Sequence, residues 1–180
     1  YETFRVIAAN VLPRLSKEHV LQLSKRQFLS VCSAGTAMFV LGCGQDATAK
    51  TRFAVSYSDA EWKKRLSPAA YRILRQEDTE RPYSSALNSE KRNGIYVCAG
   101  CNKRLFSSAT KFESGTGWPS FYKPLAGGVG TKTDFKIGVP RTEVHCAQCG
   151  GHLGHVFNDG PKPTGKRYCM NGAAMKFMPG

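Results

Sequence analysis

Residues 96–103 read YVCAGCNK and residues 144–151 read VHCAQCGG, so the chain carries two C-x2-C pairs. A tight turn between two cysteines directs both sulfur atoms to one point. Two such turns give the tetrahedron of thiolates that Zn²⁺ takes in structural sites. Because four sulfur ligands leave no open position for water, we expect one structural Zn²⁺ ion that holds strands together. Its predicted ligands are Cys98, Cys101, Cys146 and Cys149.

Two other interpretations of the cysteine pairs remain open. Disulfides would suit an exported protein, because oxidising compartments favour them. A redox C-x-x-C motif of the thioredoxin kind should lie beside a βαβ pattern, and none is visible in the sequence. Two matched pairs followed by turn residues favour a metal site over both alternatives.

Around these pairs the pattern indicates a mainly β protein with short amino-terminal helices. Ser58 or Asp59 is suited to cap a helix that has Glu61 in its first turn. The apolar stripe that follows is broken at Pro68, which predicts two short helices rather than one. Beyond Pro82, short apolar runs separated by Gly and Pro predict β-structure to the end of the chain.

Residues 1–50 differ in character from the rest and form a candidate targeting segment. Lys25 and Arg26 precede an uncharged, apolar stretch, which is the pattern of an export signal. SKRQFLS at 24–30 resembles a twin-arginine signal, and VLGC, ending at Cys43, resembles a lipoprotein box. We therefore expect export to the periplasm or to a lipid anchor at Cys43. A chloroplast or mitochondrial transit region and a buried apolar helix are the alternatives. The catalytic domain is assigned to residues 51–180.

The third sequence feature is Cys169 in RYCMN at 167–171, outside both pairs. In a strand, alternate residues share a face, so Arg167 and Asn171 would accompany Cys169. A neighbouring arginine stabilises the reactive thiolate, and the Asn171 amide could orient a substrate. Such a cysteine is also a common inert core residue, and the pattern alone leaves both possibilities open.

Two further segments supply candidate partners for Cys169. HLGHVFNDG at 152–160 places His152 and His155 after the second cysteine pair, where they could act as acid, base or hydrogen-bond donors. They could instead support the metal site. SGTGWPSF at 114–121 holds Trp118 in a stiff loop, where its indole could receive a methyl group beside a polarised sulfur. A core tryptophan is the alternative.

Taken in order, these motifs resemble the B-type methionine-R-sulfoxide reductases. The resemblance covers residues 57–178 and rests on five stretches. They are SDAEWKKRLSPAAYRILRQEDTERP, GIYVCAGC, LF at 105–106, KFESGTGWPSFYKP, and EVHCAQCGGHLGHVFNDGPKPTGKRYCMNGAAMKF. It implies two small antiparallel sheets that lean together like a tent, with zinc-ribbon-like knuckles away from the active site.

The resemblance also implies residue roles. Cys169 would attack the sulfoxide sulfur of oxidised methionine and become a sulfenic acid, reversing methionine oxidation. Trp118 and Phe157 would bind the substrate. The remaining catalytic assignments are His152, His155 and Asn171 at the sulfoxide oxygen, with Arg167 and Asp159 positioning the site. Oxidised methionine in proteins and thioredoxin or another thiol are the implied partners.

The chain departs from the family pattern at two positions. Thr116 stands where many members carry a resolving cysteine, so we expect an external thiol to reduce the sulfenic acid directly or through a mixed disulfide. Gly172 stands where the family usually has serine, and we expect it to loosen the orientation of Asn171.

Two functions of other classes compete with the reductase. The net charge of +13 allows a zinc-ribbon module that binds nucleic acid. The basic residues are dispersed, however, and that function leaves Cys169 and Trp118 without a role, so we expect no nucleic-acid partner. An inactive relative that senses oxidised methionine through Trp118 would lack turnover.

Overall fold

The computed structural model describes residues 53–180, and two short helices open this region. Helix α1 spans Asp59–Arg65 and helix α2 spans Pro68–Gln76. The Ser58 hydroxyl accepts from the backbone N–H of Glu61, whose side chain returns to the Ser58 N–H, completing a capping box. Pro68 is the first residue of α2, where its missing N–H costs nothing. The predicted break at Pro68 is therefore confirmed as a helix start.

The rest of the described chain is mainly β, as predicted. Its strands are β1 (Gly94–Cys98), β2 (Arg104–Ser107), β3 (Lys111–Phe112), β4 (Ser120–Phe121), β5 (Val129–Asp134), β6 (Arg141–Cys146), β7 (His152–Phe157), β8 (Arg167–Met170) and β9 (Met175–Pro179). They form a three-stranded sheet, β2-β1-β9, and a six-stranded sheet, β3-β4-β8-β7-β6-β5. Neighbouring strands pair antiparallel throughout both sheets.

Aromatic side chains from both sheets meet in the core. Phe106 of β2 stacks on Phe121 of β4 with ring centroids 4.4 Å apart, and Tyr96 of β1 meets Phe121 edge-on at 4.9 Å. All three side chains are fully buried. Burying each large apolar side chain contributes about 1.5–3 kcal/mol, so this cluster fastens one sheet to the other.

The two cysteine pairs join the same two sheets at another point. Cys98 ends β1 of the small sheet and Cys146 ends β6 of the large sheet. Their turns close through Asn102 at φ 57° and Gly150 at φ 67°, whose N–H groups donate to the Cys98 and Cys146 carbonyls at 2.9 Å. The predicted turn residues thus form both knuckles.

The four sulfur atoms of these pairs lie within 4.8 Å of one another. The Cys98–Cys149 Sγ atoms are 3.7 Å apart and the Cys101–Cys146 Sγ atoms are 3.5 Å apart. A tetrahedral ion with metal–sulfur distances of about 2.3 Å places its sulfurs about 3.8 Å apart, so the cluster fits a metal ion. The cysteines within residues 53–180 are all free thiols in this structure.

Nothing in residues 53–180 is a helix of the length and apolarity needed to cross a membrane. The predicted targeting segment at 1–50, including Cys43, lies outside the described residues. Its domain boundary therefore stays a prediction.

Replacing Cys98 by serine should release the metal and unfold the domain. Structural metal binding supplies on the order of 10–16 kcal/mol in zinc-finger peptides, as much as the whole stability of a typical domain. We expect native mass spectrometry to show loss of one ion and the thermal transition to disappear.

Cys169→Ser is the matched control for that experiment and should keep both the ion and the transition. A Cys98→Ser protein that still binds the ion and melts at the original temperature would contradict a structural site of four thiolates.

Candidate active site

Strand β8 places Cys169 in the middle of the large sheet. Cys169 lies opposite Ser120 of β4 on one side and opposite His155 of β7 on the other. Side chains of directly paired residues share one face of a sheet and approach within about 5 Å. The predicted nucleophile is therefore flanked by a hydroxyl and an imidazole through backbone register alone.

A bulge in β7 brings the two predicted histidines together. Val144 of β6 pairs with Gly154 and His145 pairs with His152, so β7 contains one extra residue at this point. The bulge alters the alternation of side chains, and the rings of His152 and His155 lie 5.3 Å apart. Glycine is required at 154, where φ is 154° and an added Cβ would stand 2.1 Å from the Cys169 carbonyl oxygen.

Each histidine of β7 lies beside a carboxylate from another strand of the large sheet, Glu143 on the adjacent β6 or Asp134 on β5 beyond it. His152 Nδ1 lies 3.0 Å from Glu143, whose other oxygen pairs with Lys132 at 2.9 Å. His155 Nε2 lies 2.7 Å from Asp134, which also pairs with Arg141 at 2.6 Å. These carboxylates fix the orientation of both imidazoles.

The electrostatics of these pairs determine which nitrogen carries the proton. Burial raises the pKa of Glu143, but hydrogen bonds from His152 and Lys132 outweigh it and lower the pKa overall. The Lys136 backbone N–H and then His155 hold the pKa of Asp134 well below its usual range. Both carboxylates are thus ionised acceptors, and His152 Nδ1 and His155 Nε2 act as donors.

Each carboxylate binds one nitrogen of its histidine and leaves the other nitrogen uncovered. Burial lowers the pKa of His155 despite the opposing effect of Asp134, so this imidazole is neutral and its Nδ1 carries a lone pair. His152 is 3% exposed, and its Nε2 has no hydrogen-bond partner among the described residues. Unpaired buried nitrogens are uncommon, so this one is available for a contact with a bound molecule.

Asn171 is held rigidly at the end of β8. Its Nδ2 donates to the Leu153 carbonyl at 3.1 Å, and its Oδ1 accepts from the Glu80 N–H at 3.0 Å. The expected loosening by Gly172 is wrong. Gly172 is buried, donates to the Glu80 carboxylate at 2.6 Å, and would place an added Cβ 2.0 Å from the Ser85 hydroxyl.

Glu80 organises several parts of this site at once. Besides its bond to Asn171, its carbonyl accepts from the Trp118 indole N–H at 3.1 Å. Its carboxylate accepts from the N–H groups of Gly172 at 2.6 Å and Ala173 at 2.9 Å. Glu80, in the segment between α2 and β1, therefore orients both the Trp118 indole and the Asn171 amide.

A cavity of about 150 Å³ opens beside Cys169. Five of the predicted site residues line it: Trp118, His155, Phe157, Cys169 and Asn171. Three residues that the sequence analysis did not single out, Thr79, Arg141 and Gly154, complete the lining. The structure thus brings the predicted nucleophile, substrate wall and polar groups to one place.

The other three predicted site residues lie outside the cavity lining. His152 is buried against His155. Arg167 binds Asp159 through two hydrogen bonds of 2.9 and 2.8 Å, and its guanidinium lies 4.4 Å from the ring centre of Phe157. Arg167 and Asp159 therefore reach the cavity through Phe157.

The predicted thiolate at Cys169 is not the resting state. Burial raises the pKa of the Cys169 thiol above its ordinary value, although a hydrogen bond with Thr116 and the charge of Arg167 both act to lower it. Arg167 pairs with Asp159 at 2.8 Å, and burial outweighs its effect on the thiol pKa. The thiol is protonated near neutral pH, contrary to the expectation that Arg167 keeps it ionised.

Sequence reasoning missed the residues that support the site from a distance. Asp134, Arg141 and Glu143 act across strands, and only the register of β5, β6 and β7 connects them to the histidines. An acidic residue next to Val144 in an apolar strand was a usable signal for Glu143, which is 3% exposed. Glu80 gave no signal, because its partners lie about ninety residues away.

Comparison with known proteins gives a matching domain family and several similar proteins. Residues 66–179 match the SelR domain. Peptide methionine sulfoxide reductase MsrB of Leptospira interrogans is 57% identical over 126 residues, covering 69% of this chain and 96% of that protein. The MsrB of Methanosarcina barkeri is 55% identical over 125 residues, covering 69% and 88%. The chloroplastic reductase B1 of Arabidopsis thaliana is 56% identical over 129 residues, covering 71% and 63%.

Glu80→Gln should lower the free energy of unfolding by about 1–3 kcal/mol. The carboxylate accepts hydrogen bonds from two backbone N–H groups, and the NH₂ of glutamine cannot accept one of these bonds. Urea unfolding should show a lower midpoint. Glu61→Gln is the control, since glutamine also serves in a capping box and should change stability by less than about 0.5 kcal/mol. Equal midpoints for the two variants would refute the role assigned to the Glu80 carboxylate.

Proposed function

This chain belongs to the SelR-domain family of B-type methionine sulfoxide reductases, and we propose that it reduces the R epimer of methionine sulfoxide with Cys169 as the nucleophile. It is an oxidoreductase acting on methionine sulfoxide, and repair of proteins under oxidative stress is its proposed role. The observation that carries the proposal is the cavity in which Cys169 faces His155, Asn171 and Trp118.

The size and lining of the cavity suit one oxidised methionine side chain. A volume of about 150 Å³ is comparable to that of a cavity that accepts benzene, a molecule similar in size to the oxidised methionine side chain. Trp118 and Phe157 would receive the methyl group and the thioether carbons. Asn171 Nδ2 retains one hydrogen beyond its bond to Leu153, and this hydrogen would bind the sulfoxide oxygen.

The chemical step transfers oxygen from one sulfur to the other. Cys169 attacks the sulfoxide sulfur, the S=O bond breaks, and methionine leaves as the reduced thioether. The cysteine sulfur is oxidised by two electrons to a sulfenic acid, which retains the substrate oxygen and the proton of the original thiol. Reactants and products therefore balance without any other oxidant.

His155 supports this step as a proton carrier. Its neutral Nδ1 would take the thiol proton, and the imidazolium formed would be stabilised by Asp134 at 2.7 Å. The same proton would pass to the sulfoxide oxygen and make the sulfur electrophilic. His152 would act on the oxygen through His155, whose ring centroid lies 5.3 Å from its own. Arg167 and Asp159 would position the site through Phe157.

Regeneration of the enzyme requires a thiol from outside the cavity. Thr116 Oγ1 lies 3.8 Å from Cys169 Sγ, so the position expected for a resolving thiol carries a hydroxyl. An external thiol, from thioredoxin or a small reductant, would condense with the sulfenic acid and release water. A second thiol would then reduce the mixed disulfide and restore Cys169.

Zinc is the proposed ion of the four-cysteine cluster. Thiolate-only ligands in a closed tetrahedron suit Zn²⁺, which has no redox chemistry of its own. Bound there, the ion would fix the ends of β1 and β6, and it supplies no chemistry to the cavity, whose lining contains none of the four cysteines.

Export remains the proposal for residues 1–50, with organelle import as its alternative. Mass spectrometry of the mature amino terminus distinguishes them, because cleavage just before Cys43 with lipidation requires a lipoprotein pathway. An intact segment on the mature protein would exclude both.

Cys169→Ser should abolish reduction of methionine R-sulfoxide by at least about a thousandfold, because a hydroxyl at neutral pH is a far weaker nucleophile than a thiolate. The assay uses separated R and S epimers, with dithiothreitol or thioredoxin as reductant. The unmodified enzyme should turn over the R epimer alone, and the variant should keep its metal. Binding of the sulfoxide without turnover by the unmodified protein would instead indicate a sensor.

Thr116→Cys should form a disulfide with Cys169 after one turnover, because the replaced oxygen already lies 3.8 Å from the nucleophilic sulfur. Intact mass would fall by two hydrogens, whereas a sulfenic-acid probe should label the unmodified enzyme at Cys169. Thr131→Cys, exposed on β5, is the matched control and should give no such bond. Labelling of Cys169 in Thr116→Cys equal to that in the unmodified enzyme would refute this proximity.

A further inference from the structure

Three hydroxyl groups form a chain that ends on the nucleophile. Thr116 Oγ1 contacts Cys169 Sγ at 3.8 Å and Ser114 Oγ at 2.9 Å. Ser114 Oγ lies 2.7 Å from Ser120 Oγ, and Ser120 donates to the Trp118 carbonyl at 3.1 Å. We propose that Thr116 is a catalytic residue that donates a hydrogen bond to the Cys169 thiolate, with Ser114 and Ser120 reversing direction to support it. The proposal rests on Cys169 being the nucleophile.

When Cys169 is a protonated thiol, the direction of these hydrogen bonds follows from the last one, between Ser120 and the Trp118 carbonyl. A carbonyl oxygen can only accept, so the Ser120 hydroxyl hydrogen points to Trp118. Ser120 oxygen then accepts from Ser114, and Ser114 oxygen accepts from Thr116. The Thr116 oxygen is left to accept from the Cys169 S–H. Every hydroxyl therefore points away from the cysteine while the thiol keeps its proton.

When Cys169 loses its proton, the preferred direction of these hydrogen bonds reverses. A thiolate is only an acceptor, and a hydrogen bond to a charged group is roughly twice as strong as a neutral one. The Thr116 hydroxyl then turns toward sulfur, Ser114 donates to Thr116, and Ser120 donates to Ser114. Only hydroxyl rotations are involved, since the cysteine proton leaves for His155 during turnover or for water in the free enzyme.

No other group is equally placed to serve the anion. Among the groups that lower the pKa of the Cys169 thiol, the Thr116 hydroxyl at 3.8 Å acts most strongly, followed by Arg167 and then Ser120. The charged groups that face Cys169 also bind carboxylates. Arg167 on the same strand is shared with Asp159. His155 opposite on β7 and Arg141 in the cavity both bind Asp134.

The location of these hydroxyl groups suits stabilisation of the Cys169 thiolate. Ser120 is 1% exposed and directly opposite Cys169, while Thr116 approaches from the preceding loop. The loop is fixed by Gly117 at φ 92°, whose carbonyl accepts from the Tyr83 N–H at 2.7 Å and whose added Cβ would stand 2.8 Å from Pro82. Water is scarce at such a position, so a built-in donor replaces the solvation that burial removes.

The test is the pH profile of Cys169 alkylation by iodoacetamide, read on the peptide that contains Cys169 by mass spectrometry. Thr116→Val removes the hydroxyl at nearly constant shape. The anion loses a donor and the thiol pKa rises, so the profile should move to higher pH by about one unit. Thr116→Ala should move it the same way, and Thr116→Ser should restore the original profile.

Two controls make the outcome decisive. Thr131→Val, on the exposed face of β5, should leave the profile unchanged. Ser114→Ala leaves the Thr116 contact intact and should shift the profile less than Thr116→Val does. Unshifted profiles in both hydroxyl-free Thr116 variants, or a larger shift in Ser114→Ala, would overturn the proposal.

Alkylation requires no sulfoxide, so the result is independent of the proposed activity. A shifted profile in a protein that never turns over methionine R-sulfoxide would support the hydrogen bond and refute the reductase. Turnover of methionine R-sulfoxide together with an unshifted profile would support the reductase and refute the hydrogen bond.

Discussion

The four sulfur atoms that gather at the ends of β1 in one sheet and β6 in the other are the constraint on which the proposed arrangement depends, because a metal ion held by them would tie the two sheets together. The first knuckle also reaches the active site through the backbone, because the Ala99 N–H donates to the Ala174 carbonyl at 2.9 Å. Ala174 lies three residues beyond Asn171, in the turn that the Glu80 carboxylate caps. A metal ion that supplies no chemistry would therefore set where the catalytic strand ends.

The site itself balances burial against acidity. Burial of Cys169 raises the thiol pKa, so the anion must be stabilised by fixed neighbours. Burial acts in the opposite sense on His155, which stays neutral despite Asp134 at 2.7 Å. A neutral base beside a protonated thiol is a resting state in which ionisation can be coupled to the arrival of substrate.

Local patterns predicted much of this fold, and long-range pairing explains what they missed. The C-x2-C turns, the helix start at Pro68 and the switch to strands are encoded within a few residues of each feature. The site residues Cys169, Trp118, His155 and Asn171 were also found, but as separate segments joined by resemblance. The bulge at Gly154 and the register that brings Asp134 beside His155 depend on contacts between strands, which no local pattern contains. The pKa of the Cys169 thiol was also predicted wrongly, because it depends on how deeply the tertiary structure buries this side chain.

The cavity beside Cys169 has a kinetic consequence for the proposed reaction, because Thr116 stands where a second thiol would otherwise act. The oxidised methionine and, after its departure, the external thiol would both have to reach Cys169 at this cavity. The two reactants would then meet the enzyme in alternation, giving parallel double-reciprocal plots, and an excess of either one would obstruct the other. The rate would be governed by how readily a reductant brings its sulfur to Cys169.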